Sequence, residues 1–296
     1  MGINRRDFLK TIGAATATIS TSGALRAKQP KDQKEFYSIL FDATLCIGCR
    51  KCEWACNDHN RLPNQPFASF DNKSVFEEER NMTPDKYTVV NKYDVEEYGQ
   101  SIYVKKQCMH CSQPACASAC LTEAMKKTEE GPIIWRGNKC MGCRFCMLSC
   151  PFDIPKFEYD SANPRITKCT MCYDRILKGE KTACVDICPT EAIIFGKRSN
   201  LLDEAKRRIF SEPDKYVNSV FGDGEAGGTN WLYISPVPFD KIGFKKDMSL
   251  EPYNAPTKGF LYSVPFVFIL WPALLLGLYN ATKDKQQVIE GEGTNE

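Results

Sequence analysis

At 296 residues and 33.5 kDa, with 43% hydrophobic residues, the chain is large enough to bury a sizeable core as one large domain or two small ones. Its 39 Lys and Arg against 37 Asp and Glu leave a formal charge of +2, so no global field draws it to nucleic acid or to an acidic partner. Sixteen cysteines are far more than an ordinary composition supplies, and their spacing has to decide what they do.

The chain begins with Asn4-Arg5-Arg6-Asp7-Phe8-Leu9-Lys10, followed by a weakly apolar stretch from Thr11 to Leu25 rich in Ala, Thr, Ser and Gly. This resembles a twin-arginine export signal over residues 1–27, with cleavage near Ala24 or Ala27. That route is understood to carry proteins already folded, which suits a chain loaded with its cofactor in the cytoplasm. Phe36 to Asp42 then reads as a strand entering the first cysteine group, and Ile102 to Lys106 as a strand entering the second. Between them, Asn57 to Gln107 is a long connection whose charged run Glu77 to Arg80 reads as a solvated face. Gly131 to Trp135 and Ala192 to Phe195 are strand-like returns.

The first cysteine group is Cys46-x2-Cys49-x2-Cys52-x3-Cys56, and the third is Cys140-x2-Cys143-x2-Cys146-x3-Cys150 followed by Pro151. Both have the bacterial ferredoxin spacing, in which a loop wraps three thiolates around one cubane and the cysteine further along points to a neighbouring cluster. Gly48 and Gly142 lie in the first x2 gaps, where the backbone approaches closely and calls for positive φ. The second group, Cys108-x2-Cys111-x4-Cys116-x3-Cys120, and the fourth, Cys169-x2-Cys172-x11-Cys184-x3-Cys188 with Pro189, keep both ends of the pattern and lengthen its middle. The second has Leu121 where proline is usual.

All sixteen cysteines fall into these groups, which predicts four [4Fe-4S] clusters and no [3Fe-4S] cluster. Disulfides fit poorly, because Cys-x-x-Cys pairs make strained bridges and a chain of this length needs no dense stapling. Zinc fits poorly too, since the tight runs lack zinc-ribbon spacing and two groups end in Cys-Pro. The two histidines are His59 and His110, and the second lies between Cys108 and Cys111, beside a cluster as a loop residue rather than a ligand. No catalytic constellation stands out, so no substrate chemistry is assigned to the chain.

Lys197 to Lys258 follows the cysteine region, with Leu201 to Phe210 helical and Gly222 to Asn230 a Gly-rich loop without phosphate-loop spacing. Gly259 to Thr282 then carries no charge between Lys258 and Lys283. A helix over 259–282 rises about 36 Å, enough to cross a hydrocarbon core of about 30 Å. Pro265 and Pro272 are better tolerated there than in water, and Tyr262 and Tyr279 suit the interfaces. The tail 283–296, with Lys283 and Lys285, is expected on the cytoplasmic side.

The RRDFLK start, the four groups in this order, Cys-Met-His-Cys at 108–111, the run from Cys150 to Tyr159 and the C-terminal helix together resemble a known family. It is the four-cluster subunit of membrane-bound respiratory oxidoreductases, most similar to the periplasmic hydrogenase-2 type, with formate dehydrogenase β and dimethyl-sulfoxide-reductase iron-sulfur subunits also similar. Gly224 to Pro238 is hydrogenase-2-like as well. The resemblance implies an α+β chain of two ferredoxin-like folds, one inserted in the other, plus one C-terminal transmembrane helix. Carried onto this chain, the four-cluster region is 36–196, its outer fold being 36–58 with 160–196 and its inner fold 100–159. Residues 197–258 form a partner-contacting extension and 259–282 the anchor.

Spacing alone does not choose how the groups pair. The resemblance implies that Cys46, Cys49, Cys52 and Cys188 hold one cluster, and Cys169, Cys172, Cys184 and Cys56 its neighbour. Cys108, Cys111, Cys116 and Cys150 would hold the third, and Cys140, Cys143, Cys146 and Cys120 the fourth. It implies a non-catalytic subunit at the periplasmic face of the inner membrane. Electrons would pass between a periplasmic catalytic subunit, nickel-iron hydrogenase first and molybdenum formate dehydrogenase second, and an integral quinone-reactive subunit. The first and fourth groups would face the catalytic subunit, with the second and third nearer the membrane. A self-contained terminal reductase would need a flavin or an open metal position, against which the fully allocated cysteines and two histidines argue. A soluble polyferredoxin shuttle would leave the anchor unexplained.

Overall fold

The structure is a computed structural model that describes residues 35–292; the expected export signal lies outside the described residues, as do 293–296. Along the chain run β1 (Tyr37–Asp42), α1 (Lys51–His59), β2 (Val89–Asp94), β3 (Ser101–Lys106), α2 (Ala115–Ser118), β4 (Met125–Lys127) and β5 (Ile133–Trp135). They are followed by α3 (Phe145–Leu148), β6 (Lys156–Phe157), β7 (Ile166–Thr167), α4 (Tyr173–Ile176), α5 (Ala183–Asp186) and β8 (Ile193–Lys197). The last elements are α6 (Arg198–Ser211), β9 (Trp231–Ile234) and α7 (Ala255–Glu292). The fold is thus a mixture of short helices and strands.

β1 is the middle strand of a three-stranded sheet in the order β8-β1-β9. It runs antiparallel to β8, with Tyr37 opposite Lys197, and parallel to β9, with Ile39 opposite Trp231. Strand pleating sends alternate side chains to opposite faces. Ile39 and Phe41 therefore pack with Trp231 and Tyr233 on one face, while Leu40 packs with Leu232 and Ile234 on the other. The second face is closed by Leu201, Ala205 and Ile209, whose spacing of four puts them on one stripe of α6. The stretch after the last cysteine, read from sequence as a helix and a loop, thus also contributes β9, whose four residues are all buried. β2 with β3, β4 with β5 and β6 with β7 form antiparallel ribbons.

The charged run Glu77 to Arg80 is only partly solvated. Arg80 reaches from that run to Glu53 on α1, which is 4% exposed, with Nη1 donating to Oε2 at 3.1 Å and Nη2 to Oε1 at 2.6 Å. Glu53 also accepts from Arg50 Nη2 at 3.1 Å and from the β2 amide of Val90 at 2.6 Å. A buried carboxylate is tolerated when its oxygens are engaged this fully, and here one side chain joins α1, β2 and the connection between them.

Among the described residues, 35–255 cluster as one compact unit, apart from the residues of α7 after Ala255. α7 is 38 residues long, and Phe260, Phe268, Ile269 and Leu276 on it are exposed. Side chains at 258, 259, 261, 262, 265, 281 and 283–292 lie outside those described. Among the described residues no helix is long and apolar enough to cross a membrane, so the span expected over 259–282 is not established by them. Glu53→Ala leaves Arg50, Arg80 and the Val90 amide without their acceptor. It is expected to lower unfolding stability by about 3–5 kcal/mol, measured by urea denaturation of the loaded protein; a loss below about 1 kcal/mol would mean that Glu53 does not tie these elements together.

Candidate metal centres

Each cysteine motif opens in a loop and carries its third cysteine in a helix: Cys52 in α1, Cys116 in α2, Cys146 in α3 and Cys184 in α5. The residue before the second cysteine is left-handed in all four motifs: Gly48 (φ 65°), His110 (φ 48°), Gly142 (φ 73°) and Met171 (φ 57°). Glycine adopts this conformation freely, whereas an L residue costs roughly 1–2 kcal/mol there. That His110 and Met171 accept it shows that the turn between the first two cysteines is required in every motif, with or without glycine.

The fold brings the sixteen cysteines together as four sets. Cys46, Cys49, Cys52 and Cys188 line one hollow, with Phe41 and Val90 in its walls. Cys56, Cys169, Cys172 and Cys184 line a second. Cys120, Cys140, Cys143 and Cys146 line a third, beside Met125 and Ile166. Cys108, Cys111, Cys116 and Cys150 are mutual neighbours in the remaining set. Every set takes three cysteines from one motif and the last from another.

Neighbouring cysteines join the sets in series. Cys52 of the first faces Cys184 of the next, Cys169 faces Cys108, and Cys116 packs with Cys146. All sixteen cysteines are free of disulfides. Among the described residues no three Cys, His, Asp or Glu side chains approach closely enough to share one metal ion. Four thiols lining a common hollow suit a cluster in which each iron takes one thiolate.

Burial shapes these thiols first. It pushes Cys46 up to about 12, with Cys188 and Cys49 adding to the effect, and likewise lifts Cys116 to about 12 and Cys169 to about 11. Packed thiols of this kind give up their protons when cations enter, which is how metal loading couples to proton release. Cys120 is the exception: amide N–H groups of Met125 and Ala124 and the Thr122 hydroxyl outweigh burial and hold it below the ordinary thiol value.

Three lysines that sequence reasoning did not single out lie among the cysteines, two of them buried and Lys127 half-buried. Lys105 is 1% exposed and Lys168 is 5% exposed, while burial pulls the ammonium of Lys127 down to about 7. Lys127 Nζ donates to the carbonyls of His110 and Cys111 at 3.2 and 2.8 Å, and Lys168 Nζ to that of Cys169 at 3.0 Å. His110 is wholly buried, and its Nδ1 accepts the Ile133 amide at 2.9 Å. Burial, then Lys168 and Lys127, hold its pKa well below the ordinary histidine value. His59 pairs at 3.0 Å with Asp174 on α4.

The 4Fe-4S dicluster domain family matches residues 100–198, which contain the second, third and fourth motifs. The Hydrogenase-2 operon protein HybA of Escherichia coli O157:H7 is 34% identical over 279 residues, 82% of this chain and 84% of its own. The formate dehydrogenase-O iron-sulfur subunit of Escherichia coli K12 is 33% identical over 220 residues, 73% of this chain and 72% of its own. The chain belongs to this family of iron-sulfur subunits. A protein of Nitratidesulfovibrio vulgaris Hildenborough is 43% identical over 296 residues, 98% of this chain and 80% of its own. As an iron-sulfur subunit the chain transfers electrons, and its cofactors are four [4Fe-4S] clusters.

The glycines of the two tight motifs separate two roles of the turn. A Cβ at Gly48 would fall within 2.7 Å of three ring atoms of Tyr103, whereas at Gly142 it meets nothing within 4 Å. Gly48→Ala is expected to lose about four of the irons, while Gly142→Ala keeps all of them and costs about 1–2 kcal/mol of stability from the φ penalty alone. Iron content and thermal melting of the two variants check this, and equal iron in both would remove the role given to the Tyr103 contact.

Proposed function

We propose that each of the four cysteine sets ligates one [4Fe-4S] cluster, in the order given by their contacts. The terminal sets would be Cys46, Cys49, Cys52 and Cys188 at one end and Cys120, Cys140, Cys143 and Cys146 at the other. The pair Cys56, Cys169, Cys172 and Cys184, then Cys108, Cys111, Cys116 and Cys150, would stand between them. When bound, such clusters accept and release single electrons at potentials set by charge, hydrogen bonds and exposure. The observation that carries this reading is the run of four sets, each joined to the next through a pair of buried or half-buried cysteines. In this arrangement the chain is a conductor rather than a catalyst. Both of its histidines have structural posts, one hydrogen-bonded to Asp174 and one buried against Ile133.

The reading extends to partners. At one end Cys143 is exposed, and Leu121 and Leu148 beside that set are 89% and 83% exposed. Apolar side chains so bare around a redox site suit a protein partner that covers them. At the opposite end Ile47, within the first motif, is exposed. The first end is taken to face an integral, quinone-reactive membrane subunit, and the second a periplasmic catalytic subunit of nickel-iron hydrogenase type. A molybdenum formate dehydrogenase is the second reading, favoured by the formate dehydrogenase subunits among the relatives. Residues 1–27 would direct twin-arginine export to the periplasmic face of the inner membrane, and 259–282 would anchor the subunit there. Exposed apolar residues along α7, Phe266, Leu270, Trp271 and Leu275 among them, support the anchor.

Iron and acid-labile sulfide in the purified full-length subunit are expected at about sixteen of each, from four cubanes; half that content, or zinc in place of iron, would overturn the four-cluster assignment. Truncation after Lys258 is expected to keep the iron and to move the subunit from the membrane fraction to the soluble fraction. An unchanged distribution would remove the anchor role from 259–282.

A further inference from the structure

Among the buried lysines, Lys105 has the least explained charge. Its Nζ donates to Thr88 Oγ1 at 2.6 Å and to Gln107 Oε1 at 3.0 Å, and stands 4.8 Å from the centre of the Trp231 ring. These partners are all uncharged. The acidic groups that face it are the thiols of Cys184, Cys52, Cys169 and Cys56, drawn from two adjacent sets. It also lines the hollow of the second set itself. An ammonium buried among neutral groups is strongly unfavourable unless negative charge compensates it, and here that charge comes from the redox sites.

The seat of this lysine is built by a distant part of the chain. Trp231 and Tyr233, two residues apart on β9, face the same side of the sheet, and Tyr233 Oη donates to the Lys105 carbonyl at 2.9 Å. The same hydroxyl accepts from Gln107 Nε2 at 2.5 Å, which aims the amide oxygen of Gln107 at the ammonium. The segment after the cysteine region therefore reaches into the electron path through one strand.

We propose that Lys105 is the resident counter-charge of the two sets Cys46, Cys49, Cys52, Cys188 and Cys56, Cys169, Cys172, Cys184, a positioning residue that raises the reduction potentials of the clusters held there. The proposal rests on the ligand sets proposed above. A cation close to a cluster stabilises its reduced form more than its oxidised form, because reduction adds negative charge to the same volume. The effect is strongest where water is excluded, as it is around Lys105.

The test is a redox titration followed by electron paramagnetic resonance on the full-length loaded subunit, with iron measured on the same samples. Lys105→Met is expected to keep the iron of the parent and to make two of the four midpoints more negative by at least a tenfold change in the reduction equilibrium, about 59 mV for one electron. The other two midpoints are expected to stay in place, and Lys105→Arg to return the moved pair toward the parent values. Unmoved midpoints in a fully loaded Lys105→Met protein, four midpoints shifting together, or equal shifts in the Met and Arg variants would each overturn the proposal. If Lys105→Met fails to load, Tyr233→Phe keeps every charge and loosens the seat; a smaller negative shift in the same two midpoints supports the role, and unchanged midpoints overturn it. An iron deficit in the parent protein would instead count against the ligand sets, so the two failures are distinguishable.

Discussion

The structure depends on one exchange: each motif gives its last cysteine to a set built by another motif. Cys56 leaves the first motif for the set of the fourth and Cys188 returns, while Cys120 and Cys150 are exchanged between the second and third. The first exchange joins two segments at opposite ends of the cysteine region, and it brings β1 beside β8. Everything from the end of α1 to the start of α4 then has to fold between two fixed points. The short antiparallel ribbons and four-residue helices of that stretch are what a chain can build when every turn must also present a thiol.

Grouping thiols in this way creates an electrostatic demand that the surrounding side chains meet unequally. Cys120, with two amide donors and a hydroxyl, is stabilised as a thiolate by local backbone geometry. Cys52 and Cys56 lie deeper, where burial lifts their pKa values and Lys105 opposes that rise. The deeper half of the line therefore relies on buried cations, and the outer end on backbone dipoles and nearby solvent. Burial also divides the lysines: it depresses Lys127, whereas around Lys105 the thiols outweigh burial and hold the ammonium above its ordinary value.

The chemistry of this chain is legible because ligand spacing is a local property. The x2 and x3 intervals survive in all four motifs, and the strands expected at Phe36 to Asp42 and Ile102 to Lys106 stand at Tyr37–Asp42 and Ser101–Lys106. What spacing cannot carry is the contact made across the fold. β9, just after the Gly-rich loop, goes unread because its four residues are too short a run to declare a strand, and its parallel partner β1 lies far back in the chain. Arg80 looks solvated beside three glutamates, since nothing local reveals that Glu53, buried on α1, waits for it. The buried lysines are hidden for the same reason: a lysine in a short strand reads as its wet face unless one knows that a cysteine set lies behind it.

At the junction between the two exchanged pairs the buried groups disfavour the uptake of a proton. Cys169 packs with Cys108 there, and the buried His110 belongs to the same motif as Cys108. Its Nδ1 accepts the Ile133 amide, which places any single ring proton on Nε2, a buried atom without a hydrogen-bond partner among the described residues. Taking up a second proton would put a cation in a fully buried site between two lysines, and both burial and those neighbours oppose it. Burial and these neighbours therefore favour the uncharged imidazole. Lys168 donates to the Cys169 carbonyl at the same place, so the backbone at this junction is held by a side chain from the fourth motif's approach.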